Sequence, residues 1–265
     1  MQVITSKDNE IVKNIKKLKE KKYRDETGTY IIEGIKVIEE AIEEKQAIKK
    51  IVICDECLKS EEIDQKFKYE IAKYDCVYVN KKVFDGLTSV TTPQGMLAVI
   101  EKPDLHKKID YDSDILLVLD DIQDPGNLGT ILRTADSVNL KQIIVSKGTA
   151  DAYNPKVVRS TMGAIFRVSI IESENLEKTI KEIKAKKFKV VVTSLDTDNS
   201  IYNIQYQKKA IVMGNEANGV SKEIQDLADY KAKIPMIGRT ESLNAAVATG
   251  VVLYEYVRQK VQTNK

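Results

Sequence analysis

The stretch LLVLDDIQDPGNLGTILRTADS (Leu116–Ser137) decides the fold class. An apolar run ends at Leu119, acids with Pro125 and two glycines turn the chain, and a helical pattern follows from near Gly129. A buried strand delivered through a polar turn into a helix is the repeating unit of a parallel α/β sheet. In such sheets the ligand cleft opens where strands end. Two later stretches share the texture: IVMGNEANGVS (Ile211–Ser221) and IPMIGRTESLNAAVATG (Ile234–Gly250). Each crowds Gly, Asn, Ser, Arg or Glu just past an apolar run.

Around these stretches, strands are expected at Ile115–Leu119, Gln142–Val145, Val190–Thr193, Ala210–Met213 and Ile234–Met236. Helices alternate with them at Gly129–Ser137, Asn175–Lys186 and Leu243–Gln259, the last capped by Ser242. Nearly continuous apolar strands of this kind predict a sheet covered on both faces. Residues 1–100 read as a smaller α/β unit, with a basic helix at Asn9–Lys22 and a second helix at Gly34–Glu44. Its strands are placed at Tyr30–Ile32, Ile51–Ile53, Val77–Val79 and Gly95–Ile100. Residues 101–114, polar and Pro-containing, form the predicted linker, and 115–265 the second domain.

With 265 residues, 42% hydrophobic and 31% charged, the chain has material for a core and a well-solvated surface. A net charge of +2 identifies no partner, but its distribution is uneven. Lys13, Lys16, Lys17, Lys19, Lys21, Lys22 and Arg24 face a single acid, Glu20, within one short segment. Such a cluster either neutralises nucleic-acid phosphates or forms a solvated helix face. No apolar run approaches the roughly eighteen residues a membrane span needs. The N-terminus lacks a secretion signal, and three cysteines argue against a disulfide framework and for a reducing cytoplasm. Cys54 and Cys57 invite zinc, yet only Cys76 and His106 remain to complete four ligands, so no metal is expected. The pair reads instead as small residues at a strand end. His106, the one histidine, lies in the linker, which removes a Ser/His/Asp triad and histidine acid–base chemistry in the second domain.

The three stretches each admit a plain account. A capped helix whose Arg133 pairs with Asp136 or Asp120 would suffice for the first, although exposed amides at its start also suit an RNA phosphate. Gly214–Ser221 has P-loop glycine spacing, but Val220 stands where the phosphate-binding lysine belongs and Glu216 would repel a triphosphate. An ordinary nucleotide-dependent enzyme is therefore disfavoured. Glu216 could equally be an acid near a helix N-terminus.

Taken together, in this order and spacing, the stretches resemble the SpoU/TrmH-type RNA 2'-O-ribose methyltransferases of the SPOUT class. Asn127 with Arg133 six residues on, the GNEANG loop from Gly214, and Ser242-Leu243-Asn244 all match that family's motifs. EGIKVIEEAI (Glu33–Ile42) and TTPQGMLAVI (Thr91–Ile100) resemble the L30e-type RNA-binding domain that many members carry. The resemblance implies a parallel-sheet α/β domain ending in a deep trefoil knot, a homodimer, S-adenosylmethionine as cofactor and RNA as substrate, ribosomal RNA before transfer RNA. It also implies that Thr193, Leu195, Gly214, Asn215, Ile234, Met236 and Leu243 hold the cofactor, while Asn127, Arg133, Glu216, Ser242 and Asn244 form the reaction site. A non-catalytic RNA-binding protein of the same fold is the competing expectation.

Overall fold

In the N-terminal part, short β-rich runs assemble into a five-stranded mixed sheet. Its strands are β1 (Val3–Ile4), β2 (Thr29–Glu33), β3 (Ile48–Cys54), β4 (Cys76–Val79) and β5 (Met96–Glu101), in the order β1-β4-β3-β5-β2. β5 runs antiparallel to both β2 and β3. The computed structural model describes residues 3–54, 56–58 and 65–263. Two compact units result: Met1–Pro103 with Tyr153–Phe166, and Asp104–Ala152 with Arg167–Lys265.

Within the first unit the basic segment is two helices rather than one. α1 (Glu10–Lys17) stops at Leu18, and α2 (Lys21–Thr27) starts afresh after Glu20. Two of its seven basic residues are structural. Arg24 is buried and donates from Nη1 to the Leu18 carbonyl at 2.7 Å. Lys19 donates to the carbonyls of Gly86 and Thr88, and burial is the main influence lowering its pKa. Lys13, Lys16, Lys17, Lys21 and Lys22 stay exposed. The remaining helices are α3 (Ile35–Glu43), α4 (Gln65–Ile71) and α5 (Lys81–Leu87).

The second unit carries a six-stranded sheet: β6 (Ile115–Asp120), β7 (Gln142–Ser146), β8 (Ser169–Ser173), β9 (Lys189–Thr193), β10 (Lys209–Gly214) and β11 (Tyr230–Ala232). The order is β11-β9-β10-β6-β7-β8, and every neighbouring pair is parallel. All six residues of β6 are buried, as expected of a strand covered on both faces. Helices α6 (Pro125–Ser137), α8 (Leu176–Ala185), α9 (Lys222–Leu227) and α10 (Ala245–Thr263) alternate with these strands. Among the described residues no helix is long and apolar enough to cross a membrane.

Several boundaries differ from the sequence expectation. α6 begins a turn earlier than Gly129, because Pro125 suits the first helical position and the Asp124 side chain caps the Asn127 amide. Ile234–Met236 is not a strand: pairing ends at Ala232 with a bridge at Lys233, and Pro235 has no amide to extend the ladder. β8 was not anticipated. The predicted linker is bound rather than free from Asp104 onward: Glu172 of β8 donates to the Leu105 carbonyl, and Asp110 and Gln142 exchange hydrogen bonds. It covers an open sheet edge.

Residues 153–166, expected inside the 115–265 domain, pack instead in the first unit. α7 (Pro155–Ser160) lies against β2, and the ring of Tyr153 sits 4.7 Å from that of Tyr30. The cysteine expectation also needs correction. A turn at the end of β3 brings the Cα atoms of Cys54 and Cys57 to 5.3 Å, and the two form a disulfide; Cys76 is free.

Candidate active site

All three motif stretches meet at the C-terminal ends of the second sheet. The second and third line a cavity of about 360 Å³ bordered by the ends of β9, β10 and β11 and by the segment leading into α10, while the first contributes no lining residue and reaches the site through hydrogen bonds to Glu216. This is the side of a parallel sheet where strand ends leave room for a ligand.

The loop after β10 is shaped by backbone contact. A β-carbon at Gly214 would collide with the main chain of Gly219 and Val220, so only glycine lets the loop close. Asn215 and Gly219 exchange backbone hydrogen bonds, and the Asn215 side chain accepts from Ala217 and Asn218 while donating to the Asp121 carbonyl. Asp120, buried at the end of β6, accepts from the Ser221 amide at 2.8 Å. The loop is thereby tied to β6 at both ends.

Glu216 stands on that loop, at the cavity wall. Its carboxylate accepts from the Asn127 side chain at 2.8 Å and from the amides of Gln123 and Asp124. Burial opposes its ionisation, but the donors from Asn127 and from backbone amides prevail and hold its pKa below the ordinary carboxylate value. Asn244 completes the chain, donating from Nδ2 to the side-chain Oδ1 of Asn127 at 2.8 Å. The same Asn244 side chain caps α10 by accepting from Ala246 and Val247. Asn244, not Ser242, is therefore the helix cap, and α10 starts at Ala245 rather than Leu243.

The seven expected cofactor positions, Thr193, Leu195, Gly214, Asn215, Ile234, Met236 and Leu243, all line the cavity. Of the expected reaction residues, Glu216 and Ser242 line it, while Asn127 and Asn244 reach it through the Glu216 hydrogen bonds. Arg133 does not line it. It is exposed on the outer face of α6 beside Thr130 and Ser137. Neither suggested carboxylate holds it: Asp136 pairs with Arg167, and Asp120 takes the Ser221 amide. Lys233, unmarked by any motif, is the one basic residue among those lining the cavity, against two acids, Glu216 and Glu241.

S-adenosylmethionine carries one carboxylate and two cationic centres, an ammonium and a sulfonium. The cavity's one cation, Lys233, which also pairs with Asp198 at 3.1 Å, and its two carboxylates are complementary to that set, and Gly214 allows a ligand to lie against main chain. The residues present therefore fit the cofactor.

Residues 114–254 match the SpoU rRNA Methylase family, and residues 9–98 the MRM3-like substrate binding domain. The chain is 35% identical to the 23S rRNA (guanosine(2553)-2'-O)-methyltransferase RlmP of Bacillus subtilis, over 96% of this chain and 98% of that protein. It is 32% identical to a putative TrmH family tRNA/rRNA methyltransferase of Staphylococcus epidermidis, covering 88% and 96%. Among solved structures, the AdoMet-bound rRNA methyltransferase from Sinorhizobium meliloti superposes with a TM-score of 0.86 at 33% identity, covering 97% of each chain. The SpoU methyltransferase AviRb from Streptomyces viridochromogenes, in complex with AdoMet, gives 0.85 at 26% identity, covering 96% and 98%. The chain belongs to the SpoU rRNA methylase family. Its class is that of S-adenosylmethionine-dependent RNA 2'-O-ribose methyltransferases.

Proposed function

We propose that this enzyme methylates a ribose 2'-hydroxyl of 23S ribosomal RNA. The observation that carries this reading is the Asn244–Asn127–Glu216 hydrogen-bond chain at the wall of a charge-complementary cavity. The named substrate of the Bacillus subtilis relative supports the choice of RNA.

When bound, the cofactor supplies a methyl group already activated on a sulfonium sulfur. What remains for the protein is alignment and charge. Thr193, Leu195, Gly214, Asn215, Ile234, Met236 and Leu243 would hold the cofactor, and Lys233 would face its carboxylate. Glu216, its pKa held below the ordinary carboxylate value by its donors, would serve as a fixed anion for the cofactor's positive charge rather than as the proton acceptor. Asn127 and Asn244 keep that carboxylate in place, and Ser242 would hydrogen-bond the ribose. Arg133 would orient an RNA phosphate and stabilise the developing alkoxide. A guanidinium cannot deprotonate a hydroxyl at neutral pH.

Arg133 lies outside its own cavity, and the adjoining surface suggests how it reaches one. Val247, Tyr254 and Val261 of α10, spaced one heptad apart, are exposed at 52%, 54% and 55%. This stripe is continuous with the Arg133 face of α6, because Ser137 Oγ lies 3.3 Å from Tyr254 Oη. A second copy covering it would make a homodimer in which Arg133 serves the neighbouring cavity. The first unit is read as an L30e-like RNA-binding domain, and the segment from Lys233 to Asn244 as the threaded part of a trefoil knot. The sheet order β11-β9-β10-β6 supports the second assignment.

The test is incubation with methyl-labelled cofactor and either deproteinised 23S ribosomal RNA or transfer RNA, followed by mapping of the labelled ribose. Label confined to one 23S nucleotide is expected. Label confined to transfer RNA would refute the substrate assignment. Cofactor uptake in calorimetry with no label on any RNA would favour the non-catalytic alternative.

A further inference from the structure

Residues 153–166 lie inside the methylase family match yet fold with the unit that matches a substrate binding domain. Two departures from ordinary packing fall within one turn there. Arg159 Nη1 is buried with no hydrogen-bond partner, the one side-chain nitrogen or oxygen among the described residues in that condition. Three residues on, Met162 adopts a φ of 49° and is 63% exposed, and Gly163 follows at 83°. The other non-glycine residues with positive φ are Lys45, Asp121, Asn139, Lys187 and Lys208, all polar; Met162 is the apolar exception. A β-carbon at Gly163 would collide with the Glu40 carboxylate, so the turn closes directly onto α3.

Arg159 is half-buried, with Nη1 shielded and without an acceptor, and such a guanidinium is stabilised by an anion that accepts from two of its nitrogens at once. Among the groups an RNA offers, the phosphate has the charge and the paired oxygens that match this fork. A thioether on a flexible side chain covers the face or edge of an aromatic base without demanding its identity. Lys156, exposed one turn earlier on α7, adds positive charge on that side, set against the Glu40 carboxylate beside Gly163.

We propose that the Arg159–Gly163 turn binds one nucleotide of the RNA substrate, with a phosphate on Arg159 and the adjoining base against Met162. This inference rests on the RNA reading above but names a contact separate from the cavity. Binding should be measured across a salt series with 23S ribosomal RNA and, in parallel, with a short single-stranded oligoribonucleotide. Failure of wild-type protein to bind the ribosomal RNA sinks the substrate assignment, while the oligonucleotide still reports on the turn. Arg159→Ala is expected to weaken RNA binding about tenfold and to flatten the log K against log salt slope by about 0.7, the signature of one lost phosphate contact. Arg159→Lys keeps the slope but recovers only part of the affinity, and Met162→Ala lowers affinity severalfold with no change in slope. Cofactor affinity by calorimetry stays at the wild-type value in all three. A wild-type salt slope for Arg159→Ala overturns the proposal, whether or not that variant is less stable.

Discussion

The cavity of the second unit and the lysine-rich surface of the first use polar groups in opposite ways. At the wall of the cavity a connected set of polar groups is held: Glu216 accepts from Asn127 and two amides, Asn127 from Asn244, and Asp120 from Ser221. On α1 and α2, Lys16, Lys17 and Lys21 are exposed and form no ion pair among the described residues. Groups fixed before a ligand arrives lose little on binding and can discriminate a methyl-bearing sulfonium from its product. Loose cations on flexible stems follow a phosphate backbone without reading it. The proposed division of labour gives chemistry to the cavity and residence on RNA to the lysine-rich surface.

That contrast can be broken first at Arg133. Arg133→Ala and Arg133→Lys should each lower single-turnover methyl transfer, the alanine variant by roughly a hundredfold to a thousandfold, with cofactor affinity unchanged. Near-wild-type transfer by both removes Arg133 from the mechanism. Gly214→Ala drives a methyl into the Gly219–Val220 main chain and should weaken cofactor binding about a hundredfold by calorimetry, while RNA affinity holds. Asn127→Ala strips partners from both Glu216 and Asn244; a fall in kcat of about ten to a hundredfold with little change in KM for RNA is expected.

On the other region, replacing Lys16, Lys17 and Lys21 together by Ala should flatten the salt dependence of RNA binding by about 2 and leave cofactor binding alone. Loss of both would refute the division of labour. The smallest effect concerns pH. The Glu216 carboxyl titrates below its ordinary 4.5 in the folded protein, so its stabilising contribution is complete above that value and is lost as pH falls through the folded pKa. Glu216→Gln should therefore show a flatter loss of thermal stability in acid than wild type, and equal slopes would show that its hydrogen bonds are not maintained in solution.

The parallel sheet and its cavity were legible because local patterns encode them. An apolar run followed by Gly, Asn and Glu marks the end of β10, where Gly214 and Glu216 border the cavity, whereas the similar pattern after Ile234–Met236 follows no strand and still brings Leu243 to the same cavity. Features decided by distant contacts were not legible. Lys19 and Arg24 look like any other basic residues until the Gly86, Thr88 and Leu18 carbonyls are known to receive them. Ser242 and Asn244 are both good caps by type, and only the reach of Asn244 to Asn127 explains which one serves. Lys233 carries no motif at all; its place beside Ile234 matters because the chain there closes a cavity begun at Thr193.

The Tyr153–Phe166 segment has a bearing on how the molecule is made. A nascent chain has all five strands of the first sheet by Glu101, but the cover over Tyr30 emerges only with Tyr153, after two strands of the other sheet have left the ribosome. Cutting the gene after residue 100 would separate the Tyr30 ring from that of Tyr153 and leave Val157, Val158 and Ile165 without their burial site. The smaller unit is thus a discontinuous product of translation, finished by the sequence that encodes its neighbour.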